Sequence, residues 1–183
     1  MSDPVSALAG ASFPGFATIR EIGPLGMITL RAKPGTPGLE AAVRAVTGTG
    51  LPPQRGIVTA GNHACGWMSP DEYLLILPYA GVTAALAALA QGLAGQHHLA
   101  ADVSDARAVF RIEGLKADQV LRKLTPADLD RMEAGELRRS RLAQVAAAFW
   151  AADGGYTVVC FRSVAGYVMG LLSHAATPGA ELG

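Results

Sequence analysis

Apolar and polar positions alternate along this chain in short runs punctuated by glycine and proline, the pattern of a protein that mixes strands with helices. Gly26 to Arg31 (GMITLR) has the length and apolar content of a strand, and the turn-rich Lys33-Pro34-Gly35-Thr36-Pro37-Gly38 follows it. Thr36 is expected to cap a helix with Pro37 at its first position, where a missing N–H leaves no hydrogen bond unmade. That helix runs through LEAAVRAVT and is stopped by Gly48, Gly50, Pro52 and Pro53. A hairpin of Gly56 to Ala60 with Tyr73 to Leu77 is expected next, with the polar stretch GNHACGWMSPDE as its loop.

After a turn at Pro78 to Gly81, the segment VTAALAALAQGLAG places Val82, Leu86, Leu89 and Leu93 on one helical face. Ala101 to Ser104 and Arg107 to Glu113 read as successive strands, the second alternating through Ala108, Phe110 and Ile112. Pro126-Ala127-Asp128 breaks the chain, and Leu142 to Trp150 with Tyr156 to Phe161 makes a second hairpin around Asp153-Gly154-Gly155.

The same order of elements occurs twice. A Trp followed six residues later by a Tyr that opens an apolar run appears at Trp67/Tyr73 and again at Trp150/Tyr156, and Leu89/Leu172 keep the same shift of 83. Upstream, Val43/Leu121, Val46/Leu124 and Thr47/Thr125 are related by a shift of 78, a difference that an insertion in the loop between helix and hairpin absorbs. The chain is therefore expected to be an α+β protein of two duplicated, ferredoxin-like β-α-β-β-α units, each an antiparallel sheet with helices packed on one face. Its expected organisation is an N-terminal arm over 1–20, a first repeat over 21–100 and a second over 101–183, together one compact unit.

No charged side chain occurs from Tyr73 to Ala101. Pro78 and Gly81 interrupt this run and its helix is mostly Ala, so a membrane span is not expected. The helical face opposite the Leu stripe is built of Ala, Thr and Gln where an exposed helix ordinarily carries charge. Ala84, Ala88 and Gln91 on that face are the expected contact residues for a partner subunit.

Composition narrows the function. Half of the 183 residues are hydrophobic, and Lys+Arg equals Asp+Glu at 15 each, which leaves no basic surplus for nucleic acid. The first residues lack the basic region and apolar stretch of a secretory leader, and Cys65 and Cys160 stand alone in separate repeats; a cytoplasmic location with reduced thiols is expected.

Candidate chemistry is sparse. His63 and Cys65 lie two apart without a second ligand pair, and His97-His98 point to different faces, so no metal site is expected. Asp71-Glu72 after Ser69-Pro70 reads as a turn or helix start, and Ser69 has no nucleophile context. No GxGxxG follows a strand and no phosphate-binding loop motif occurs. Arg138-Arg139-Ser140-Arg141 follows Asp128, Asp130, Glu133 and Glu136, which reads as a salt-bridged solvated or intersubunit surface. No catalytic, cofactor-binding or metal-binding residue is assigned.

The segments WMSPDEYLLILP from Trp67, DVSDARAVFRIEG from Asp102 and Arg141-Leu142-Ala143-Gln144 resemble the gamma subunit of heterotetrameric sarcosine oxidase, and the likeness runs over most of residues 20 to 175. That family belongs with the folate-binding aminomethyltransferase fold of the glycine cleavage T-protein. The resemblance implies a non-catalytic structural subunit packed chiefly against the alpha chain, with beta and delta chains completing the complex. Such a complex demethylates sarcosine to glycine, with hydrogen peroxide and formaldehyde or methylene-tetrahydrofolate as products. It implies FAD, FMN, NAD, zinc and tetrahydrofolate on the other subunits and no cofactor bound by this chain alone. The alternative is a stand-alone folate-binding aminomethyltransferase-like protein, for which Asp102 or Asp105 would supply the carboxylate. An iron–sulfur maturation factor of the related folate-binding type would carry K-G-C-[YF]-x-G-Q-E, which this sequence lacks.

Overall fold

The computed structural model describes residues 4–183, which divide into two compact units. One runs without interruption from Leu25 to Ser104; the other joins the described residues up to Pro24 with Asp105 to Gly183. The N-terminal segment contributes β1 (Ser12–Pro14) and β2 (Thr18–Ile22). Of the arm expected over 1–20, residues 1–3 lie outside the described residues, and from Ser12 it forms β1 and, after a bend at 15–17, the start of β2. The apolar positions Phe13, Ala17 and Ile19 pack on a core, although the strands are too short for a period to show in the sequence.

The 25–104 unit is built from β3 (Gly26–Arg31), α1 (Leu39–Thr47), β4 (Ile57–Ala60), β5 (His63–Ser69), β6 (Glu72–Leu77), α2 (Val82–Gly92) and β7 (Leu99–Asp102). Its sheet has the antiparallel order β4-β5-β6-β3-β7. The helix α1 buries Leu39, Ala42 and Val43, one stripe of a helix, and ends where Gly48 turns left-handed at φ 70° with its N–H on the Arg44 carbonyl. Its start differs from expectation. Gly38 adopts φ 80° and occupies the N-cap, while the Thr36 hydroxyl donates to the Lys33 carbonyl at 2.8 Å, so the helix begins at Leu39 without a side-chain cap.

A second difference is β5, which was expected as loop. Its small residues Ala64, Cys65 and Gly66 carry no period-two signal, yet they lie buried between β4 and β6. The expected two-stranded hairpin is therefore a three-stranded meander.

The other unit repeats this plan with β8 (Arg107–Glu113), α3 (Ala117–Arg122), β9 (Leu137–Leu142), β10 (Val145–Ala152), β11 (Gly155–Phe161) and α4 (Ala165–Ala175). Its sheet order is β1-β2-β8-β11-β10-β9. The shift of 83 holds through the last strand and helix of each unit: Leu75/Val158, Leu77/Cys160, Val82/Ala165, Ala85/Val168 and Leu89/Leu172 are all buried core pairs. The shift of 78 holds for α1 and α3, where Leu39/Ala117, Ala42/Val120 and Val43/Leu121 are buried. In both units the helices cover one face of the sheet, as expected of the α+β repeat.

The Trp pair breaks the equivalence. Trp67 stands opposite Tyr73, whereas Trp150 stands opposite Thr157 and Tyr156 faces Ala151. A β-bulge between Trp67 and Ser69 absorbs one residue in the first meander, and the second has none, so the two Trp side chains leave opposite faces of their strands. Trp67 packs against the helix-covered core of its unit, while Trp150 is buried on the other face of its sheet. The strand completing each sheet beside its central element also differs in origin. β7 pairs with β3 from just after α2, and the equivalent place beside β8 is taken by β2 from the start of the chain.

Candidate interface

The helix α2 forms because ten residues of Ala, Leu, Val, Thr and Gln, most of them good helix formers, precede its last residue Gly92 and follow a one-turn 3-10 segment at Tyr79–Gly81. Val82, Ala85 and Leu89 are buried, Leu93 just beyond is fully buried, and Leu86 is half-buried at the stripe's edge. On the opposite side Thr83, Ala84, Ala87, Ala90 and Gln91 are exposed and Ala88 is half-buried. Ala84, Ala88 and Gln91 thus share a solvent-facing strip that carries no charge. Water gains little by hydrating methyl groups, so a partner can cover Ala84 and Ala88 with almost no desolvation penalty, while the Gln91 amide needs a hydrogen-bond partner in exchange for water.

Charge is concentrated elsewhere. Arg20 makes two hydrogen bonds to Glu113, at 2.9 and 2.7 Å, which hold the Glu113 carboxyl below its usual range. Arg122 bridges Asp118 at 2.8 Å and Asp130 at 2.7 Å. The arginine cluster of Arg138, Arg139 and Arg141 lies on the edge strand β9, where Arg138 forms a largely buried ion-pair contact of 2.9 Å with Glu136.

The remaining candidates do not converge. Among the described residues no three His, Cys, Asp or Glu side chains are grouped to hold a metal ion. His63 and Cys65 lie on the same strand, but Cys65 is fully buried and its thiol is pushed up to about 12 by burial, while burial takes Cys160 to about 11. Zinc takes thiolate, so this donor set does not fit it. Asp71 closes the turn between β5 and β6, bonded to Arg31 and Ser69, which hold its carboxyl below the usual range. Asp102 ends β7, where one carboxylate oxygen accepts from the Ser104 amide at 2.9 Å and its hydroxyl at 2.6 Å. Asp105 lies in the adjoining 3-10 turn. An open concavity of about 530 Å³ lined by Gly154, Gly155, Tyr156 and Asp118 has its carboxylate engaged by Arg122.

The buried thiols give a pH prediction. The fold holds the Cys65 proton at pH values where the unfolded chain, with a thiol near 9.0, has lost it. Stability is then full below about pH 9 and falls as pH climbs toward 12. Urea unfolding at pH 7 and pH 10 should show the loss, and Cys65→Ala should flatten the slope; an unchanged slope would refute the assignment.

A second uncharged helical face lies on α4. The shift of 83 carries Ala84, Ala87, Ala88 and Gln91 onto Tyr167, Gly170, Leu171 and His174 of α4, and each pair has matching exposure. This second face was legible from the repeat alone.

Known proteins place the architecture. The chain is 41% identical over 126 residues to the sarcosine oxidase subunit gamma of Arthrobacter sp, and 39% identical over 138 residues to that of Corynebacterium sp. (strain U-96). These matches cover 67% and 73% of this chain and 60% and 65% of the relatives' lengths. The solved heterotetrameric sarcosine oxidase from Corynebacterium sp. U-96, in complex with pyrrole 2-carboxylate, contains a similar chain with TM-score 0.84 and 28% identity, over 96% of this chain and 95% of that one. The glycine cleavage system aminomethyltransferase T from Bartonella henselae shares the fold at TM-score 0.63 and 11% identity, over 83% of this chain and 44% of that one. Residues 31–178, which span the duplicated units from the end of β3 to beyond α4, match the model of the sarcosine oxidase, gamma subunit family, and the chain belongs to that family.

Proposed function

We propose that this protein is a non-catalytic structural subunit of a heterotetrameric sarcosine oxidase, which oxidatively demethylates sarcosine to glycine in the cytoplasm. The observation that carries the reading is the uncharged outer strip of α2 in a chain of the gamma subunit family. Obligate subunits expose such surface when isolated, because their interfaces resemble a core cut in half. The partners are the alpha, beta and delta chains, chiefly alpha, through Ala84, Ala88 and Gln91. FAD, FMN, NAD, zinc and tetrahydrofolate belong to those other chains. The buried thiols and the engaged carboxylates of Asp102 and Asp118 support this assignment. No helix among the described residues is long and apolar enough to cross a membrane.

Affinity purification of this chain from its native host is expected to yield a yellow complex containing larger chains. A colourless protein recovered alone under mild conditions would refute the reading, and folate titration of that isolated chain would then test the aminomethyltransferase-like alternative. Ala88→Arg should leave the circular dichroism and melting of the isolated chain unchanged while reducing recovery of the complex at least tenfold, as one desolvated charge in an apolar contact does. Full recovery would remove α2 from the interface.

A further inference from the structure

We propose that residues 4–22 form an exchangeable arm, and that the slot they fill beside β8 in one molecule is also a binding site for the same segment of a second copy of this chain. Two molecules that trade arms through the link of Gly23, Pro24 and Leu25 form a reciprocal dimer, in which each copy's β2 completes the sheet of the other.

The slot selects a strand by its direction and side chains rather than by its connection. In the other unit the equivalent place beside β3 is filled by β7, antiparallel as β2 is, and β7 comes from the end of its own unit. The strand β2 instead reaches β8 from before the whole 25–104 stretch. Despite these different origins both strands set a carboxylate at the same register, Asp102 opposite Ile28 and Glu21 opposite Phe110. Each carboxylate accepts from a serine hydroxyl and from backbone amide: Asp102 from Ser104, and Glu21 from Ser6, Leu8 and Gly10.

The arm is folded on itself. Its strands pair from Ser12↔Arg20 to Pro14↔Thr18, the Glu21 amide donates to the Ala11 carbonyl at 2.8 Å, and the Glu21 carboxylate gathers the loop 6–10. Toward the 105–183 part of its unit it offers Ala17 and Ile19 to the core, Arg20 to Glu113, the Phe16 amide to the Ala176 carbonyl at 2.9 Å, and the Val5 and Ser6 carbonyls to Arg162. These contacts form equally well when the arm belongs to another molecule, and only the link has to change, which is the condition for an exchanged element.

The same contacts identify the occupant. A foreign strand would need an apolar residue opposite Ile112, a cation opposite Arg111 that reaches Glu113, and a carboxylate opposite Phe110 that brings its own donors. Residues 4–22 of a second copy meet all three requirements. The link is short, since β2 ends at Ile22 and β3 starts at Gly26, and Gly23 at φ 130° has backbone freedom that other residues lack. Once closed, the arm is kept in its own slot by the high effective concentration of a tethered segment. Before closure it competes with the arms of neighbouring chains, so exchange is set by protein concentration during folding.

The test uses two full-length variants, Thr18→Cys and Glu113→Cys. These positions are directly opposed on β2 and β8, where Cα atoms about 4.5–5.5 Å apart fall within disulfide range. The variants are unfolded together in urea, refolded with reductant so that Cys65 and Cys160 return to the core, and then oxidised. A disulfide between the two variants requires the arm of one to lie on β8 of the other. Co-refolding at about 0.5 mM is expected to give at least tenfold more linked dimer on a non-reducing gel than co-refolding at about 1 μM, because exchange must compete with tethering in the millimolar range. A single chain carrying both substitutions should link internally at either concentration. If that double variant links and the mixed pair yields no dimer at the higher concentration, the proposal is overturned. Equal linkage within each variant refolded alone would mark random contact and would overturn it as well.

Discussion

Glu21→Ala is expected to release the segment 5–11 and to destabilise its unit by about 3 kcal/mol, the scale of losing several hydrogen bonds to a buried charge. Glu21 is 4% exposed on β2, between β1 and β8. Its carboxylate accepts from the Ser6 hydroxyl at 2.9 Å, the Leu8 amide at 2.9 Å and the Gly10 amide at 2.8 Å. Three donors from one loop thus converge on a single side chain, and Ala would leave them without an acceptor. Glu21→Gln should restore part of the loss, because one of its terminal atoms is itself a donor and cannot accept. Urea unfolding and limited proteolysis measure the outcome: cleavage within 5–11 should appear in the variant well below its unfolding midpoint. Stability within about 0.5 kcal/mol of wild type with no new cleavage would show that Arg162, which bonds the Val5 and Ser6 carbonyls, holds the segment by itself.

Phe110→Ala should cost about 3–5 kcal/mol, the range for emptying an aromatic site in a packed core. Phe110 lies on β8, opposite Glu21 on one side and Val158 on the other, and it is fully buried in the cluster that includes Phe149, Val168 and Leu172. Each unit holds one of the two tryptophans, which makes the measurement local. In a Trp67→Phe background, fluorescence of Trp150 should report a midpoint lowered by about 1–3 M urea. Ile28, opposite Leu75 on β3, occupies the corresponding place in the other unit. In a Trp150→Phe background, Ile28→Ala should lower the Trp67 transition in the same way. A Trp150 midpoint unmoved by Phe110→Ala would mean that the emptied site collapses without loss of packing.

What the sequence disclosed follows from how strongly each segment's pattern is set by burial. The helices α2 and α4 each bury one apolar stripe, and β6 and β11 are runs of large apolar residues buried on both faces, so their shift of 83 survived duplication and could be read directly. The segment of β5 could not, because Ala64, Cys65 and Gly66 are covered on both faces of their sheet and have small side chains, a composition shared with loops. The edge strand β9 looked like a solvated charge run because Arg139 and Arg141 project from one of its faces; the buried Leu137 and Leu142 at its two ends are the apolar signal it does have. The Trp repeat was a true marker of the duplication but a misleading guide to facing. One bulge residue inverts side-chain direction, and a bulge has no sequence signature of its own. The uncharged face of α2 is legible because no Asp, Glu, Lys or Arg occurs along it, and the structure leaves Ala84 and Gln91 exposed and Ala88 half-buried. The exposure of Tyr167 has no sequence signal, because an aromatic residue within an apolar run has the pattern of a core position.

The placement of β2 beside β8 sets an order of events on the ribosome. The 25–104 unit is one uninterrupted stretch and can close as soon as it has emerged. The strand β2, at 18–22, is made first but must wait for β8, at 107–113, before it has a neighbour on that side. At translation rates of about 5–20 residues per second, that wait lasts roughly 5–20 s. During it, Ile19 and the Glu21 loop have no core to enter, while the intervening unit assembles behind them. The nascent chain therefore carries β2 with one edge unpaired while about half of the 183 residues are added, and that is the interval in which a chaperone or a waiting partner subunit would find it.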